Sequence, residues 1–388
     1  MPQYTMQSKH ATIIAIDQHA RSVTMRGLDL TTGEEKIRQL VNCPSATDMV
    51  SWAESWGTGP FRFAYESGPC GLYLARDIQA LGHDCDIIAV SSIARSNEDK
   101  SRKDDQRDAK RLLAELTNIH PTCKPIWIPS ETYEADRDLV RAYCDVLSAS
   151  KRSKQQLSGF LLRHGHVWNE RTINGKLKDT WTRIYIDWVK SIAFKEPSAM
   201  LTLDLYLTYA LANIARVGEM GKFCVELAQS ESYKPYTNAL TRLKGVDNIT
   251  AIIFTVTVGD FHRFKNGRSV SSYFGLTPRR SDSGESTGKN GSITKAGDTT
   301  TRHAMIEALT GIANYNCSAK ELPKGKVAPS PRIEAEALKC NIKTVERYHH
   351  LIGRGKSANV AKVAVASKLV RDMWKIGCMV QEEEAMRR

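Results

Sequence analysis

The run ATIIAID at residues 11–17 is apolar nearly throughout and stops on an acid, the pattern of a buried strand. Two alternating runs follow, SVTMRGLDL and EEKIRQLV, joined through Thr32 and Gly33, and three successive strands predict an antiparallel meander. A polar, tryptophan-containing helix is expected at residues 46–55. After it come a strand at 61–67 (FRFAYES), a helix at 71–81 closed by Gly82, and a strand at 86–90 (DIIAV). A helix starting near Lys103 completes the order. Three strands, then helix, strand, helix, strand and helix describe an α/β domain of the ribonuclease-H-like (RuvC-like) kind, covering residues 1–125.

Past Pro125 the period lengthens to that of helices. Long segments rich in Leu, Arg and Lys, such as DRDLVRAYCDVLSASKRSKQQLSGFLLRHG and SAMLTLDLYLTYALANIARVGEMGKFCVEL, predict a helical or coiled-coil region over 126–235. Its heptads are not clean, so packed helices that only space two domains and a dimerising coiled coil both stay open. A third, mostly α region covers 236–388. It opens on LTRLKGVDNITAIIFTVTVGDF, a helix, a turn at Gly245 and a second helix, similar to a helix-hairpin-helix. Such a turn can offer backbone N–H groups to a phosphate. Here Asp247 stands where the second glycine would be, and its charge would repel phosphate, which favours a structural turn. Residues 323–331 read as a surface loop, followed by the basic helix SANVAKVAVASKLVRDMW.

Composition narrows the class without naming a function. The 388 residues exceed one ordinary core, and 41% hydrophobic with 25% charged residues describes folded domains rather than a disordered chain. No stretch of about 18 uncharged apolar residues offers a membrane span. The 55 Lys and Arg against 43 Asp and Glu give a formal charge of +12, which favours polyanionic partners. Nine scattered cysteines with no C-x-x-C pair, and an N-terminus lacking an apolar signal segment, predict reduced thiols and a cytoplasmic protein.

The candidate chemistry lies in four acids. Asp17 ends the first strand and Glu66 the fourth, strands that neighbour one another in a ribonuclease-H-like sheet. Asp105 and Asp108, three residues apart on a helix, share one face. Singly, each has an ordinary explanation: a turn cap at Asp17, a turn after Glu66, a solvated helix face around Asp105 and Asp108. Together at two strand ends and on one helix they point to a hard divalent cation, Mg2+ or Mn2+, because crowded carboxylates need compensation and hard cations take oxygen ligands.

The segments YESGPCGLYL (residues 65–74), KDDQRDAKRL (103–112), GLTPRRSDSGES (275–286) and ITKAGDTTTR (293–302) resemble hallmark segments of a known group. It comprises the insertion-sequence transposases that combine a DEDD acidic tetrad with a catalytic serine, and it includes the Piv invertase. The resemblance implies that Asp17, Glu66, Asp105 and Asp108 bind the metal. It implies that Ser283, or Ser281 as the second choice, attacks the DNA backbone from a C-terminal transposase domain. It further implies a structured noncoding bridge RNA that selects donor and target DNA. The sequence departs from the group's pattern at residues 18–21 and at Gln106, and no proposed ligand is lost.

A serine hydroxyl is a weak nucleophile without a base or metal, and a scissile phosphodiester needs its developing charge neutralised. The expected activity is therefore Mg-assisted cutting and rejoining of double-stranded DNA through a serine–DNA intermediate, by a homodimer or homotetramer. Arg102, Lys103, Arg107, Arg279, Arg280, Lys289, Lys295, Arg302, Arg354 and Lys356 are the expected phosphate contacts. Two other activities fit the same acids: a junction-resolving nuclease that uses water, and a non-catalytic nucleic-acid-binding protein.

Overall fold

The computed structural model describes residues 10–92, 105–118, 122–279, 291–315 and 329–387, with Ser91, Asp105 and Gln106 described by backbone alone. Arg102, Lys103, Arg280, Ser281, Ser283 and Lys289 lie outside the described residues. The chain divides into two compact units, Met1–Pro129 and Ser130–Arg388.

The first unit is built on a five-stranded sheet of order β3-β2-β1-β4-β5. Strands β1 (Thr12–Gln18), β2 (Ser22–Asp29) and β3 (Glu35–Val41) form the predicted meander, each antiparallel to the next. Helix α1 (Ala46–Glu54) starts at a capping box in which Asp48 N–H donates to Ser45 Oγ and Ser45 N–H to the Asp48 carboxylate. It returns the chain to β4 (Phe61–Glu66), which runs parallel to β1. Helix α2 (Tyr73–Ala80) leads to β5 (Asp84–Ile88), parallel to β4. Expected at 86–90, β5 lies two residues earlier because its ladder with β4 begins at the Arg62–Asp84 pair. Helix α3 (Asp105–Thr117) is the last helix described in this unit.

Alternation sorts the strand side chains onto two faces. Ile14, Ile16, Phe63 and Tyr65 pack beneath α1 and α2 with Met49, Ala53, Leu74 and Ile78. Ile13, Ala15 and Ala64 turn the other way, onto Leu112, Leu113 and Leu116 of α3. The sheet is thus covered on both sides, an α/β arrangement whose element order agrees with the expected one.

In the second unit, helices α4 (Glu131–Arg163) and α6 (Pro197–Ala228), each about 48 Å long at 1.5 Å per residue, pair along their length. They run antiparallel: Leu157 and Leu161 meet Leu203 and Leu207 at one end, while Val140 and Tyr143 meet Cys224 and Ala228 at the other. Helix α5 (Arg183–Ser191) packs Tyr185 and Val189 against the first of these ends, beside Trp168.

The C-terminal segment folds around α8 (Asn248–Val258), in which every residue from Ala251 to Val258 is buried. Around it lie α7 (Lys234–Leu240), α9 (Gly267–Tyr273), α10 (Thr299–Glu307), α11 (Pro331–Gly353) and α12 (Ala358–Arg387). Sequence reading separates the middle and C-terminal regions at residue 235, yet Ile252, Ile253 and Val256 of α8 share a core with α4 and α6. Both belong to one compact unit. At the helix-hairpin-helix-like turn, the Asp247 side chain caps α8 by accepting from Thr250 N at 2.7 Å, so a carboxylate fills the place a phosphate would take. Among the described residues, no helix is long and apolar enough to cross a membrane.

Candidate active site

The β1–β4 register pairs Ile16 with Tyr65, and one further step sets Asp17 beside Glu66. Two residues beyond Ala15 and Ala64 respectively, both acids point to the face that α3 covers. Helix α3 places Asp108 there as well. Its Arg111, one turn further on, donates from Nη2 to Glu66 Oε1 at 2.7 Å and contacts Asp108 Oδ1 through Nη1 at 3.1 Å. A single guanidinium therefore holds a strand-end acid and a helix acid together and balances part of their charge. His19 Nε2 lies 3.3 Å from Asp17 Oδ2. Among the described residues no group of three or more His, Cys, Asp or Glu converges closely enough to hold a cation, and the Asp105 side chain is not among them.

The segment after β4 is pinned from within. Tyr65, 1% exposed, donates its hydroxyl to Gly71 O at 3.1 Å and accepts from Ala75 N, tying the turn after Glu66 to the start of α2. Burial above all, and then Cys85 nearby, push the Tyr65 phenol far up, so it stays a donor at neutral pH. Gln18 Nε2 donates to Tyr73 Oη at 2.9 Å and fixes the end of β1 against the same turn.

In the second unit, residues 275–279 and 291–295 form the two arms of a hairpin. Arg279 N donates to Ser292 O at 2.9 Å, Thr294 N to Thr277 O at 2.9 Å and Lys295 N to Gly275 O at 3.1 Å. Residues 280–290, with Ser281 and Ser283, connect these arms. The base closes where backbones meet: Gly275 (φ +65°) and Gly297 (φ +71°) are both left-handed, and a Cβ on Gly297 would stand 1.9 Å from Tyr273 O. No other residue fits there without a shift.

Arg302 corrects an expectation. Placed by sequence among the phosphate contacts, it is only 8% exposed, and its guanidinium is already bonded to Phe274 O (3.0 Å), Ala296 O (2.9 Å) and Thr299 Oγ1 (3.1 Å). It anchors both ends of the hairpin instead of facing solvent. Arg107, Arg279, Lys295, Arg354 and Lys356 are exposed. Arg111 and His19 escape sequence reading, although the three-residue step from Asp108 to Arg111 is a helix-face signal for the first.

All cysteines among the described residues are free thiols, and burial pushes Cys144 and Cys340 up to about 12, which removes both as thiolate nucleophiles at neutral pH.

Residues 237–322, which contain the whole hairpin, match the family model described as transposase IS116/IS110/IS902 family. The chain is 32% identical to a putative transposase, y4qE, of Sinorhizobium fredii across 81% of its own length and 74% of that protein's. It belongs to the IS110/IS116/IS902 family of transposases. Other similar proteins are the transposase for insertion sequence element IS1533 of Leptospira borgpetersenii, 31% identical over 54% of this chain and 58% of that one, and a probable family 20 transposase of Pseudomonas aeruginosa, 22% identical over 92% and 91%. Among IS110-type chains this one therefore carries the family-matched hairpin in its second unit, and a separate group of strand-end and helix acids in its first.

Proposed function

We propose that this transposase cuts and rejoins double-stranded DNA of an insertion sequence through a covalent serine–DNA intermediate, with Ser283 as nucleophile. The observation that carries the reading is the placement of Asp17 and Glu66 on the sheet face that α3 covers, with Asp108 of α3 bridged to Glu66 by Arg111, in a chain of this family. An all-oxygen donor set of this kind suits a hard cation. Asp17, Glu66, Asp105 and Asp108 would hold Mg2+ or Mn2+, which when bound supplies Lewis-acid stabilisation of phosphoryl charge. In a ribonuclease-H-like domain such acids serve phosphodiester chemistry.

The protein's own part is positioning. The Gly275–Gly297 closure and Arg302 set the base of the hairpin whose connecting residues include Ser283. In the reaction the Ser283 Oγ–P bond forms as one P–O bond of the DNA strand breaks. The hydroxyl proton passes to a base and the departing strand oxygen takes up a proton. The reverse step, with a new DNA hydroxyl attacking phosphorus, rejoins the strand and frees the serine, so no ATP is required. Exposed Arg279 and Lys295 at the hairpin suit the flanking phosphates. The same reading includes an element-encoded bridge RNA as guide, and a dimer or tetramer as the working form, since two duplexes are exchanged together.

End-labelled DNA incubated with the protein, then denatured and run on a gel, should give a protein-linked band that Ser283→Ala abolishes. Undiminished strand cleavage by Ser283→Ala would replace this mechanism with a water-using nuclease. Glu66→Gln with Asp108→Asn should lose Mn2+ binding in calorimetry as well as cleavage, while keeping affinity for DNA. Sequencing of RNA co-purified with the protein tests the guide: a discrete structured species is the expected result.

A further inference from the structure

Helices α11 and α12 form an antiparallel hairpin closed by residues 354–357. Lys375 Nζ reaches Glu336 Oε1 at 2.7 Å, and one end nearer the loop Lys368 Nζ reaches Thr344 Oγ1 at 3.1 Å. Along the seam lie two neighbouring depressions. The first, about 490 Å3, is lined by Lys343, Arg347, Lys368 and Arg371 with Ala364 and Asp372. The second, about 460 Å3 and one turn further along, includes Lys339 and Lys375 with Glu336.

Seven cations therefore face this seam, Arg332 at its far end being paired with Glu382, and the carboxylates that line it are engaged: Asp372 with Lys368, and Glu336 with Lys375. Lys339, Lys343 and Arg347 follow one another at four-residue steps on α11, about 6 Å apart along the axis. Like charges at that spacing repel and cost helix stability, and Lys343 and Arg347 form no ion pair among the described residues. A row of cations kept against its own repulsion is suited to a polyanion with regularly spaced charge.

We infer that the α11–α12 seam binds the phosphodiester backbone of duplex DNA, independently of sequence. The seam lies beyond residues 237–322, outside the segment matched by the family model. Neither depression is lined by an aromatic residue on which an unpaired base could stack, which favours a duplex over single-stranded RNA. The inference rests on the reading of the chain as acting on DNA, and assigns part of its grip to a surface remote in sequence from the serine.

The test is the salt dependence of full-length protein binding to a 30-base-pair duplex of unrelated sequence, read by fluorescence anisotropy. Lys343→Gln with Arg347→Gln should reduce the slope of log Kd against log salt by about 2, since each phosphate contact contributes about 0.9. Both residues are exposed, so the thermal midpoint should not move. Arg183→Gln with Lys190→Gln on α5 removes the same charge elsewhere and should leave the slope unchanged. Equal effects of the two pairs would overturn the seam assignment in favour of net charge, and so would a loss confined to single-stranded RNA of the same length. If the unaltered protein binds the duplex without salt dependence, the DNA reading itself fails along with the seam.

Discussion

Asp29, at the end of β2, is fully buried and accepts backbone N–H groups from Thr31 (2.7 Å), Thr32 (3.1 Å) and Thr58 (2.8 Å). Burial opposes its ionisation, but the Thr58 side chain and then these backbone bonds outweigh burial and hold the carboxyl at about 2. A carboxyl depressed in the folded state contributes stability above its unfolded value near 4, and that contribution fades as pH falls toward 2. The urea midpoint of the unaltered protein should therefore exceed that of Asp29→Asn at pH 6, with the difference closing between pH 4 and pH 2. A pH-independent difference would show that the ionised carboxylate contributes nothing special. At this scale sequence reading is weakest, because charge says nothing of depth. Arg302 reads as a surface cation yet serves three acceptors inside the protein, and Arg111 reads as a helix arginine until the sheet face beneath α3 is known. Asp17 and Glu66 were legible for the opposite reason. A strand that ends on an acid announces both the residue's place and its direction.

Elements were legible where period and length agree. The three meander strands, α1, β4 and α2 follow their predicted order because each run is bounded by a turn residue or a cap. The hairpin at 275–279 and 291–295 was not foreseen, since its arms are short and its stability comes from backbone closure rather than from an apolar pattern. That closure makes a prediction. Gly297→Ala asks an L-residue to sit at φ +71° with its Cβ 1.9 Å from Tyr273 O, so it should cost about 2 kcal/mol or more in urea unfolding. Gly353→Ala, at a helical position with open space around it, is the matched control and should be neutral or slightly stabilising. The Gly297 variant should also lose strand cleavage beyond what its stability loss explains, if the hairpin base sets the serine. Cleavage that falls only in step with the folded fraction would make the closure purely structural.

On the scale of the whole chain, cores decide what can fold alone. The first unit keeps its two apolar clusters to itself: one above the sheet around Phe63, Tyr65 and Met49, the other below it around Ala64 and Leu112. A fragment of residues 1–129 should therefore unfold cooperatively, with a urea slope of about 1–3 kcal/mol per molar and a near-ultraviolet dichroism signal that disappears in the same transition. Residues 236–388 look equally self-sufficient in sequence, with an apolar α8 and long amphipathic helices. Their structure argues otherwise. Ile252, Ile253 and Val256 pack against Val140 and Tyr143 of α4, more than a hundred positions away, and against Cys224 and Ala228 of α6, contacts that leave no local trace. Cut at 235, the C-terminal piece would expose that apolar side of α8 to water, at about 25 cal/mol for each Å2. It should aggregate or bind a hydrophobic dye, whereas residues 130–388 should be monodisperse and cooperative. A well-folded 236–388 fragment would restore the boundary that sequence alone suggests and show the α4–α6–α8 core to be dispensable.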